Sequence, residues 1–248
     1  MFENLLNPIF GPLLNLPSFW AVFIIAFVIA LLITLVYKWM TDQHLMKSLK
    51  EEIKAFQQQM KEFKHDPKKV MEIQKRAMQT NMKYMMHSFR PTLITFLPII
   101  IIFGWLHANL AFEPIMPGHE FIVEAVFQPD ISGDAKLIVP ENIKLLSDDV
   151  QEIKEGKAEW KLKGDAGEYI LEYQYGERVY SKELLITSKQ SYKPPVKKID
   201  DDIVKTLETK HEKTFPLHIF GWKIGWLGTY IIFSIIFSMA LRKILKLH

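Results

Sequence analysis

The stretch that decides the fold is "MMHSFRPTLITFLPIIIIFGWLHANLAF", residues 85–112, which opens with methionines and basic residues and then loses all charge. From Pro91 to Phe112 it contains no Asp, Glu, Lys or Arg. An α-helix rises ~1.5 Å per residue, so ~20 residues cross the ~30 Å hydrocarbon core of a bilayer. The stretch therefore predicts a membrane-spanning helix whose entrance differs chemically from its far end.

Two further windows, residues 4–37 and 224–241, are equally free of charged side chains. A core helix of a soluble protein rarely stays uncharged over such lengths. We therefore predict an α-helical integral membrane protein with three transmembrane helices, at residues 18–38, 91–111 and 219–241. The first is expected to remain in the mature chain, because no Lys or Arg precedes it and no A-x-A cleavage site follows it.

The distribution of basic residues predicts the orientation. Residues 38–90 carry 12 Lys and Arg against 6 Asp and Glu, whereas residues 112–223 carry 16 against 21. Cytoplasmic loops of membrane proteins are enriched in Lys and Arg. We therefore place the loop at 39–90 and the tail at 242–248 in the cytoplasm of a multi-pass protein of the cell membrane, with the N-terminus and residues 112–218 outside.

Within residues 1–17, the stretch 7–17 is apolar but interrupted by Pro8, Pro12 and Pro17, so no single helix fits it. We expect a segment that lies in the outer membrane interface. Tryptophan is enriched at both membrane interfaces. The predicted outer level contains Trp20, Trp105, Trp222 and Trp226, and the inner level contains Trp39.

The loop at 39–90 has the apolar spacing of a cytoplasmic helical hairpin. Steps of three and four residues, which are typical of a coiled-coil seam, connect two sets of side chains: Met46, Leu49, Ile53, Phe56, Met60 and Phe63, then Val70, Ile73, Ala77 and Tyr84. Between them, Asp66 is a good N-cap and Pro67 a good first helical residue. The second helix is expected to continue into the second span.

Methionines are concentrated in this loop, because residues 40–86 hold 8 of the 11 in the chain. One group forms a second stripe beside the seam of the second helix: Met71, Met78, Met82, Met85 and Met86. Flexible, polarisable methionine is common on surfaces that bind varied apolar partners. Two hypotheses stay open: the stripe belongs to the coiled-coil seam, or it is an open surface for a guest segment.

Residues 119–190 change character. Alternating or β-rich runs such as "FIVEAVF", "AEWKLK" and "EYILEYQY" are separated by Gly, Pro and Asp, and a hairpin turn is predicted at Gly176-Glu177. About seven short strands indicate a small Ig-like β-sandwich in the outer domain. We expect "SYKPPVKK" to be a stiff linker and residues 199–213 to form a short amphipathic helix.

Polar side chains cluster in the cytoplasmic halves of the predicted spans: Thr34, Lys38, Arg90, Thr92, Thr95, Ser234, Ser238 and Arg242. Singly, each cation is expected to snorkel to the lipid phosphates. Together, the set predicts a hydrophilic groove that lowers the cost of moving a polar segment through the membrane.

Pro98 lacks an N–H, so we expect a kink that splays this half of the second span; alternatively, it only shapes the helix.

No catalytic, metal or cofactor site is expected. The chain has no Cys, and its 8 His are scattered without an H-E-x-x-H motif, a P-loop or a G-x-S-x-G motif. No Asp or Glu lies inside a predicted span, so chemistry within the membrane has no candidate carboxylate. We therefore expect the protein not to be an enzyme.

An N-out span, a basic Met-rich hairpin and a second span with "LPIIIIFGWL" resemble the YidC/Oxa/Alb insertase superfamily. The chain looks closest to the archaeal YidC-like proteins and is similar to subunit three of the endoplasmic reticulum membrane protein complex. The resemblance covers residues 7–111 and, more loosely, 219–241. It implies a three-helix core with a cytoplasm-facing groove. Bacterial members place an arginine in that groove, and Lys38 is here the nearest cation of the first span.

On this resemblance we expect a membrane protein insertase that works without nucleotide hydrolysis. It would receive apolar segments on the Met-rich hairpin and pass them through the groove into the lipid bilayer. Nascent membrane proteins are the implied partners, with the ribosome or a translocon as further candidates and no DNA. The alternatives are a membrane-anchored receptor or scaffold, whose outer strand domain binds a ligand or surface protein, and a non-catalytic subunit of a transporter.

Overall fold

The computed structural model describes residues 3–247, and the side chains from Leu6 onward. The remaining residues of the predicted interfacial segment and tail lie outside this description. The chain divides into two compact units, which are treated separately below. One unit joins the N-terminal segment up to Ala21 with Gly104–Trp226, and the other contains Val22–Phe103 and the chain from Leu227.

The helices, in chain order, are α1 (Glu3–Phe10), α2 (Ser18–Met40), α3 (Gln43–Glu62), α4 (Pro67–Leu110) and α5 (Trp226–Ile244). Three of them, α2, α4 and α5, are long and apolar enough to cross a membrane. α2 contains the first predicted span, and α4 contains the second except for its last residue. The prediction that the third span begins at residue 219 is wrong, because residues 217–224 pair as β-strands and α5 starts after them.

The prediction that the N-terminal segment is not one continuous helix is confirmed, because α1 is followed by a 3-10 helix at Gly11–Asn15. Trp105 Nε1 donates a hydrogen bond of 2.7 Å to Asn7 Oδ1, and its ring centre lies 5.4 Å from that of Phe10. Trp105 is only 2% exposed. Trp105 therefore holds α1 against the end of α4, and its position at the outer membrane interface stays a prediction.

The loop between the first two spans consists of α3 and the first half of α4. Asp66 Oδ1 accepts a hydrogen bond of 3.2 Å from the backbone N–H of Lys69, so the predicted N-cap is present. The buried side chains of the loop include the predicted seam residues Met46, Leu49 and Ala77. Pairing of the two seams as a coiled coil stays a prediction.

The strand-rich unit contains two antiparallel sheets and a separate hairpin. Its strands are β1 (Glu120–Phe127), β2 (Asp134–Ile138), β3 (Ile143–Leu145), β4 (Val150–Glu152), β5 (Lys157–Gly164), β6 (Gly167–Tyr175), β7 (Arg178–Ile186), β8 (Val196–Lys198), β9 (Val204–Lys210), β10 (Leu217–Ile219) and β11 (Trp222–Ile224). The sheets have the strand orders β3-β5-β1-β9-β8 and β4-β2-β6-β7, and β10 pairs with β11.

Alternation of side chains explains the packing of the two sheets. In β5 every second residue is buried, and the buried set includes Trp160 and Leu162. These residues join Leu137 and Leu171 of the other sheet in one apolar core. The predicted turn between β6 and β7 is present, and Gly176 takes a φ of 57°, which costs glycine little because it has no Cβ.

The prediction of a helix at residues 199–213 is wrong, because this segment contains β9. Leu207 of β9 pairs with Ala125 of the central strand β1, and both side chains are buried. Pairing with a buried strand outweighs a local apolar spacing that also fits one turn of helix. The segment "SYKPPVKK", predicted to be a stiff linker, is ordered: it contains β8 and a residue that caps α4.

The residue of "SYKPPVKK" that caps α4 is Tyr192, whose hydroxyl binds two backbone groups at the C-terminal end of the helix. Its hydroxyl donates to the carbonyl oxygen of His107 at 2.7 Å and accepts from the N–H of Ala111 at 3.0 Å. These two backbone groups would otherwise bond to each other in the last helical turn, so the hydroxyl bridges a helical hydrogen bond. Burial raises the pKa of Tyr192 to about 12.

A lysine occupies a core position of the same unit. Lys182 of β7 is 3% exposed and alternates with the buried Leu184. Its ammonium donates to Thr209 Oγ1 at 2.8 Å and to the carbonyl oxygen of Pro194 at 3.0 Å. Burial disfavours the charged form and lowers the pKa of Lys182 to about 8.

Candidate functional site

A cavity of about 260 Å³ is lined by side chains of α2, α4 and α5. We call it the groove, and its lining residues are Ile33, Tyr37, Tyr84, Ser88, Pro91, Thr92, Thr95 and Arg242. Helical spacing explains why these residues meet. Positions 84, 88, 91 and 95 of α4 recur at steps of three or four, which keeps them on one face, and positions 33 and 37 of α2 are one turn apart.

Arg242 is the one cation among these eight lining side chains. Its guanidinium carbon lies 4.9 Å from the centre of the Tyr37 ring, a distance typical of cation–π stacking. Tyr37 is 7% exposed and also interacts with Ser88 and Tyr84 across the cavity. A well-anchored ring therefore positions the guanidinium at the groove.

Hydroxyl groups supply most of the remaining polarity. Ser88 donates to the carbonyl oxygen of Tyr84 at 3.0 Å, Thr92 to that of Ser88 at 3.1 Å, and Thr95 to that of Pro91 at 3.0 Å. Each O–H is thus used inside α4, and oxygen lone pairs remain as acceptors, although Ser88 also has Tyr37 as a neighbouring hydrogen-bond partner. The groove combines hydrogen-bond acceptors along one wall with a single cationic donor.

Three of the eight side chains predicted for the groove line it: Thr92, Thr95 and Arg242. Lys38 and Arg90 are exposed and do not line it. At ~100° per residue, Arg90 is about 200° around α4 from Ser88, and Lys38 is about 100° around α2 from Tyr37. The groove cation therefore comes from the third span and not from the first.

The other three predicted residues occupy neighbouring positions. Thr34 is 2% exposed and donates to the carbonyl oxygen of Ala30 at 2.6 Å, within its own helix. Ser234 and Ser238 line a second cavity of about 310 Å³, and Ile33 lines both cavities. Because Ser234, Ser238 and Arg242 are four residues apart, they form one polar row along α5.

Sequence reasoning left four polar or ring-bearing groove residues out of the predicted set: Tyr37, Tyr84, Ser88 and Pro91. A signal for three of them was present. The seam at positions 70, 73, 77 and 84 continues at the same spacing through 88, 91 and 95. Extending the heptad pattern of the loop into the span would have placed these residues on the inward face of α4.

The five methionines predicted to contact clients are all exposed, by 50% to 68%. They are Met71, Met78, Met82, Met85 and Met86, and we call them the methionine stripe. At ~100° per residue, the stripe lies roughly 140° around α4 from the seam. Apolar side chains continue it along the spanning half of α4, where Phe89, Leu93, Phe96 and Ile100 are 50% to 58% exposed. The exposure favours the open-surface hypothesis for the stripe.

α4 remains helical through both of its internal prolines, Pro91 and Pro98. Pro91 is buried and lines the groove, whereas Pro98 is exposed and lies beyond the last groove residue of α4. A kink at Pro98 stays a prediction. The proline that contributes directly to the groove is Pro91.

The strand-rich unit has a cavity of its own, of about 460 Å³, lined by residues 113–116, 119–122 and 210–212. His211 Nδ1 lies 3.0 Å from the carbonyl oxygen of Glu113, and burial lowers the pKa of this imidazole. Among the described residues, no group of three or more His, Asp or Glu is arranged to hold a metal ion. This cavity is the natural place for a ligand under the receptor hypothesis.

Comparison with known families gives a match over the first two spans, the loop between them and the start of the strand-rich region. The matching model is that of the integral membrane protein EMC3/TMCO1-like family, over residues 4–135, just over half of the chain. The chain belongs to this family. EMC3/TMCO1-like proteins are part of the Oxa1/YidC/Alb3 insertase-like superfamily and are not known as enzymes. Comparisons with curated proteins and with solved structures find no match.

The superfamily expected from the sequence is thus confirmed at the level of the EMC3/TMCO1-like family. The matched residues end inside β2. Most of the strand-rich unit, and α5 with Arg242, therefore lie beyond the matched region of this EMC3/TMCO1-like chain.

Proposed function

We propose that this EMC3/TMCO1-like protein is a membrane protein insertase, of the archaeal YidC-like kind. An apolar client segment binds the methionine stripe, its polar flank enters the groove, and the apolar part moves into lipid without nucleotide hydrolysis. The observation that carries the proposal is a groove with hydroxyls and one guanidinium, lined by three helices that are otherwise apolar enough to span a membrane.

The groove addresses the main energetic obstacle to insertion. A charge at the centre of a bilayer costs ~2.5–3.5 kcal/mol on insertion scales. The hydroxyl oxygens of Ser88, Thr92 and Thr95 offer acceptors for unpaired N–H groups of a client, and Arg242 offers donors for carboxylates and carbonyls. An acidic flank therefore gains more from the groove than a basic one.

The methionine stripe supplies the binding step. Its side chains are exposed, flexible and polarisable, which suits client segments of varied shape. The stripe and the apolar residues that follow it on α4 make a continuous surface from the loop into the span. Transfer of the client from this surface to lipid releases ~0.8 kcal/mol for each CH₂ that becomes buried, and this partitioning drives the reaction.

The charge distribution supports one orientation for this mechanism. In our proposal α3, the first half of α4 and the tail at 242–248 face the cytoplasm of the cell, and the N-terminus and the strand-rich unit face outward. The two helices of the loop pair as a coiled coil beside the ribosome or a translocon, from which nascent membrane proteins arrive. The excess of Lys and Arg at residues 38–90 favours this arrangement.

The proposal is tested by insertion into liposomes. The purified protein is reconstituted into phospholipid vesicles, and a single-span client with a short acidic N-terminal tail is synthesised in their presence. Protease protection of the tail measures insertion. We expect protease protection of the acidic tail to be greater in reconstituted vesicles than in empty ones. For a client with a basic tail, this gain in protection should be much smaller. Equal protection in empty and reconstituted vesicles would refute the proposal.

The receptor hypothesis is favoured by one observation, the cavity in the strand-rich unit. It predicts no gain of insertion in the vesicle assay. It also predicts that substitution of the lining residue Glu120→Gln alters binding of an outer ligand without any effect on client insertion.

A further inference from the structure

The hairpin of β10 and β11 forms a two-stranded sheet of three residues per strand, directly before the third span. Gly225 alone separates the last residue of β11 from the first residue of α5. An isolated two-stranded hairpin is marginally stable in water. A hairpin this short needs a further surface to support it.

Its pairing register gives the hairpin two chemically distinct faces. Residues directly opposite each other in an antiparallel pair share a face, and faces alternate along the strand. The pairs Leu217–Ile224 and Ile219–Trp222 therefore share one face, which is entirely apolar. The pair between them, His218–Lys223, occupies the opposite face. The hairpin is an amphipathic ribbon.

The tip carries the most exposed aromatic side chain among those that the structure describes. Phe220 is 99% exposed and Trp222 is 78% exposed. The two turn residues, Phe220 and Gly221, have φ values of 50° and 84°, and a turn of this kind strongly favours Asn-Gly. Phenylalanine pays a steric cost at positive φ and buries nothing in the described structure. Its presence is best explained by a contact outside the chain.

The position of the hairpin identifies that contact as the lipid bilayer. A three-residue strand extends ~10 Å, so the tip stays close to the level where α5 begins, at Trp226. Aromatic side chains favour that interfacial level. On the opposite face, the ammonium of Lys223 lies 5.9 Å from the centre of the exposed Phe215 ring, and a lysine in such a position can extend to lipid phosphates while its stem covers apolar surface.

We propose that β10 and β11 form a membrane-interface hairpin, which inserts Phe220 and Trp222 into the boundary between headgroups and acyl chains of the leaflet where α5 begins. Its partner is a phospholipid surface, with Lys223 and His218 toward the phosphates. The hairpin holds the strand-rich unit against the membrane. This role is independent of insertase activity and would serve a receptor equally well.

The chain has no Cys, so a single introduced cysteine can be labelled without background. Phe220→Cys carries the environment-sensitive fluorophore NBD in full-length protein, reconstituted in nanodiscs of phosphatidylcholine and phosphatidylglycerol. The matched control is Glu177→Cys, at the tip of another two-residue hairpin turn, between β6 and β7. Nitroxide-labelled phosphatidylcholine and aqueous iodide serve as quenchers.

We expect blue-shifted emission at position 220, several-fold quenching by nitroxide placed near the headgroup, and protection from iodide. At position 177 we expect emission typical of water, little quenching by nitroxide and strong quenching by iodide. Equal behaviour of the two positions would overturn the proposal. Blue-shifted emission that no nitroxide lipid quenches would also overturn it, because it would indicate a contact with protein.

Phe220→Asn separates membrane contact from folding. Asn-Gly is the preferred sequence for a turn with two positive φ values, so this variant should unfold at an equal or higher temperature in detergent. In nanodiscs, NBD at a second site, Trp222→Cys, should lose nitroxide quenching when Phe220→Asn is added. Thermal destabilisation by Phe220→Asn in detergent, with unchanged lipid quenching at 222, would show that Phe220 serves the fold.

Discussion

The guanidinium of Arg242, near the end of α5, lies 4.9 Å from the centre of the Tyr37 ring, near the end of α2. The two residues are 205 positions apart in the chain, and neither is remarkable alone. A basic residue after a span usually snorkels to lipid phosphates. Stacking on a buried ring keeps this one at a cavity that three helices line.

Replacement of Arg242 should selectively impair insertion of acidic clients. A hydrogen bond to a charged group contributes ~1.5–3 kcal/mol, so Arg242→Ala should slow insertion of a client with an acidic tail roughly tenfold. Arg242→Lys should restore part of the rate, since lysine keeps the charge but stacks less well. The measurement is the initial rate of tail protection in proteoliposomes.

Lys243→Ala is the matched control, because it removes an adjacent cation that does not line the groove. It should leave the rate unchanged. Equal losses from Arg242→Ala and Lys243→Ala would indicate that only the basic character of the C-terminal tail matters.

Polar replacement of the methionine stripe should weaken client capture. The triple change Met78→Gln, Met82→Gln and Met85→Gln removes exposed apolar surface and leaves the seam intact. Crosslinking between a nascent apolar segment and a photoreactive residue at position 71 should fall several-fold. The corresponding triple change to leucine keeps the surface apolar and should retain most of the crosslinking. If glutamine and leucine variants capture clients equally, the stripe is not the binding surface.

Removal of the Tyr192 hydroxyl should destabilise the strand-rich unit where it caps α4. Tyr192→Phe removes the bridge between the N–H of Ala111 and the carbonyl of His107, and the phenylalanine ring that remains between them hinders their direct helical hydrogen bond. A buried polar group without a partner costs ~1–3 kcal/mol, so the midpoint of thermal unfolding in detergent should fall. Tyr169→Phe, whose hydroxyl forms a single exposed hydrogen bond to the Asp165 carbonyl, should change the midpoint much less.

Lys182 should give the strand-rich unit a stability that rises with pH. Its pKa is about 8 when folded, against 10.5 when unfolded, so the unfolded chain binds more protons between these values. The free energy of unfolding therefore increases with pH in this window, and at pH below 8 burial of the charge costs on the order of 3 kcal/mol. Denaturant unfolding between about pH 8 and 9.5 measures the slope, below the range where tyrosines ionise.

Lys182→Met should abolish that slope, while Lys189→Met, at an exposed position, should keep it. Parallel pH profiles for the two variants would show that the ammonium of Lys182 is solvated in the folded state.

Local sequence patterns predicted most of the structural elements that depend only on residues close together in the chain. Uncharged windows predicted three spans, and Asp66-Pro67 predicted the start of α4. The turn at Gly176-Glu177 could also be predicted from the sequence, because a two-residue hairpin turn accepts only a few residue types. β9 was mistaken for a helix, since its apolar spacing suits both structures and only pairing with β1 decides between them.

For the candidate site, the sequence indicated a polar groove with three cations, but which of the predicted residues line the cavity depended on helix faces, and Arg242 is the one cation that does. Thr92, Thr95 and Arg242 were anticipated, whereas Tyr37, Tyr84 and Ser88 were not in the predicted set. Lys38 and Arg90 carry suitable chemistry on faces turned away from the cavity. A rotation of ~100° per residue makes the difference between lining a groove and facing solvent or lipid.

The sequence by itself determined that three helices are long and apolar enough to cross a membrane, and it also determined the basic loop with its methionine stripe and the strand-rich character of the region before the last of these helices. These properties follow from hydrophobicity, charge and period, which act over a few neighbouring residues. Only the tertiary structure decided that Arg242 stacks on Tyr37, that Tyr192 caps α4, and that residues 217–224 form an amphipathic hairpin. Each of these depends on which distant or opposing side chains meet, and packing in three dimensions alone selects those partners.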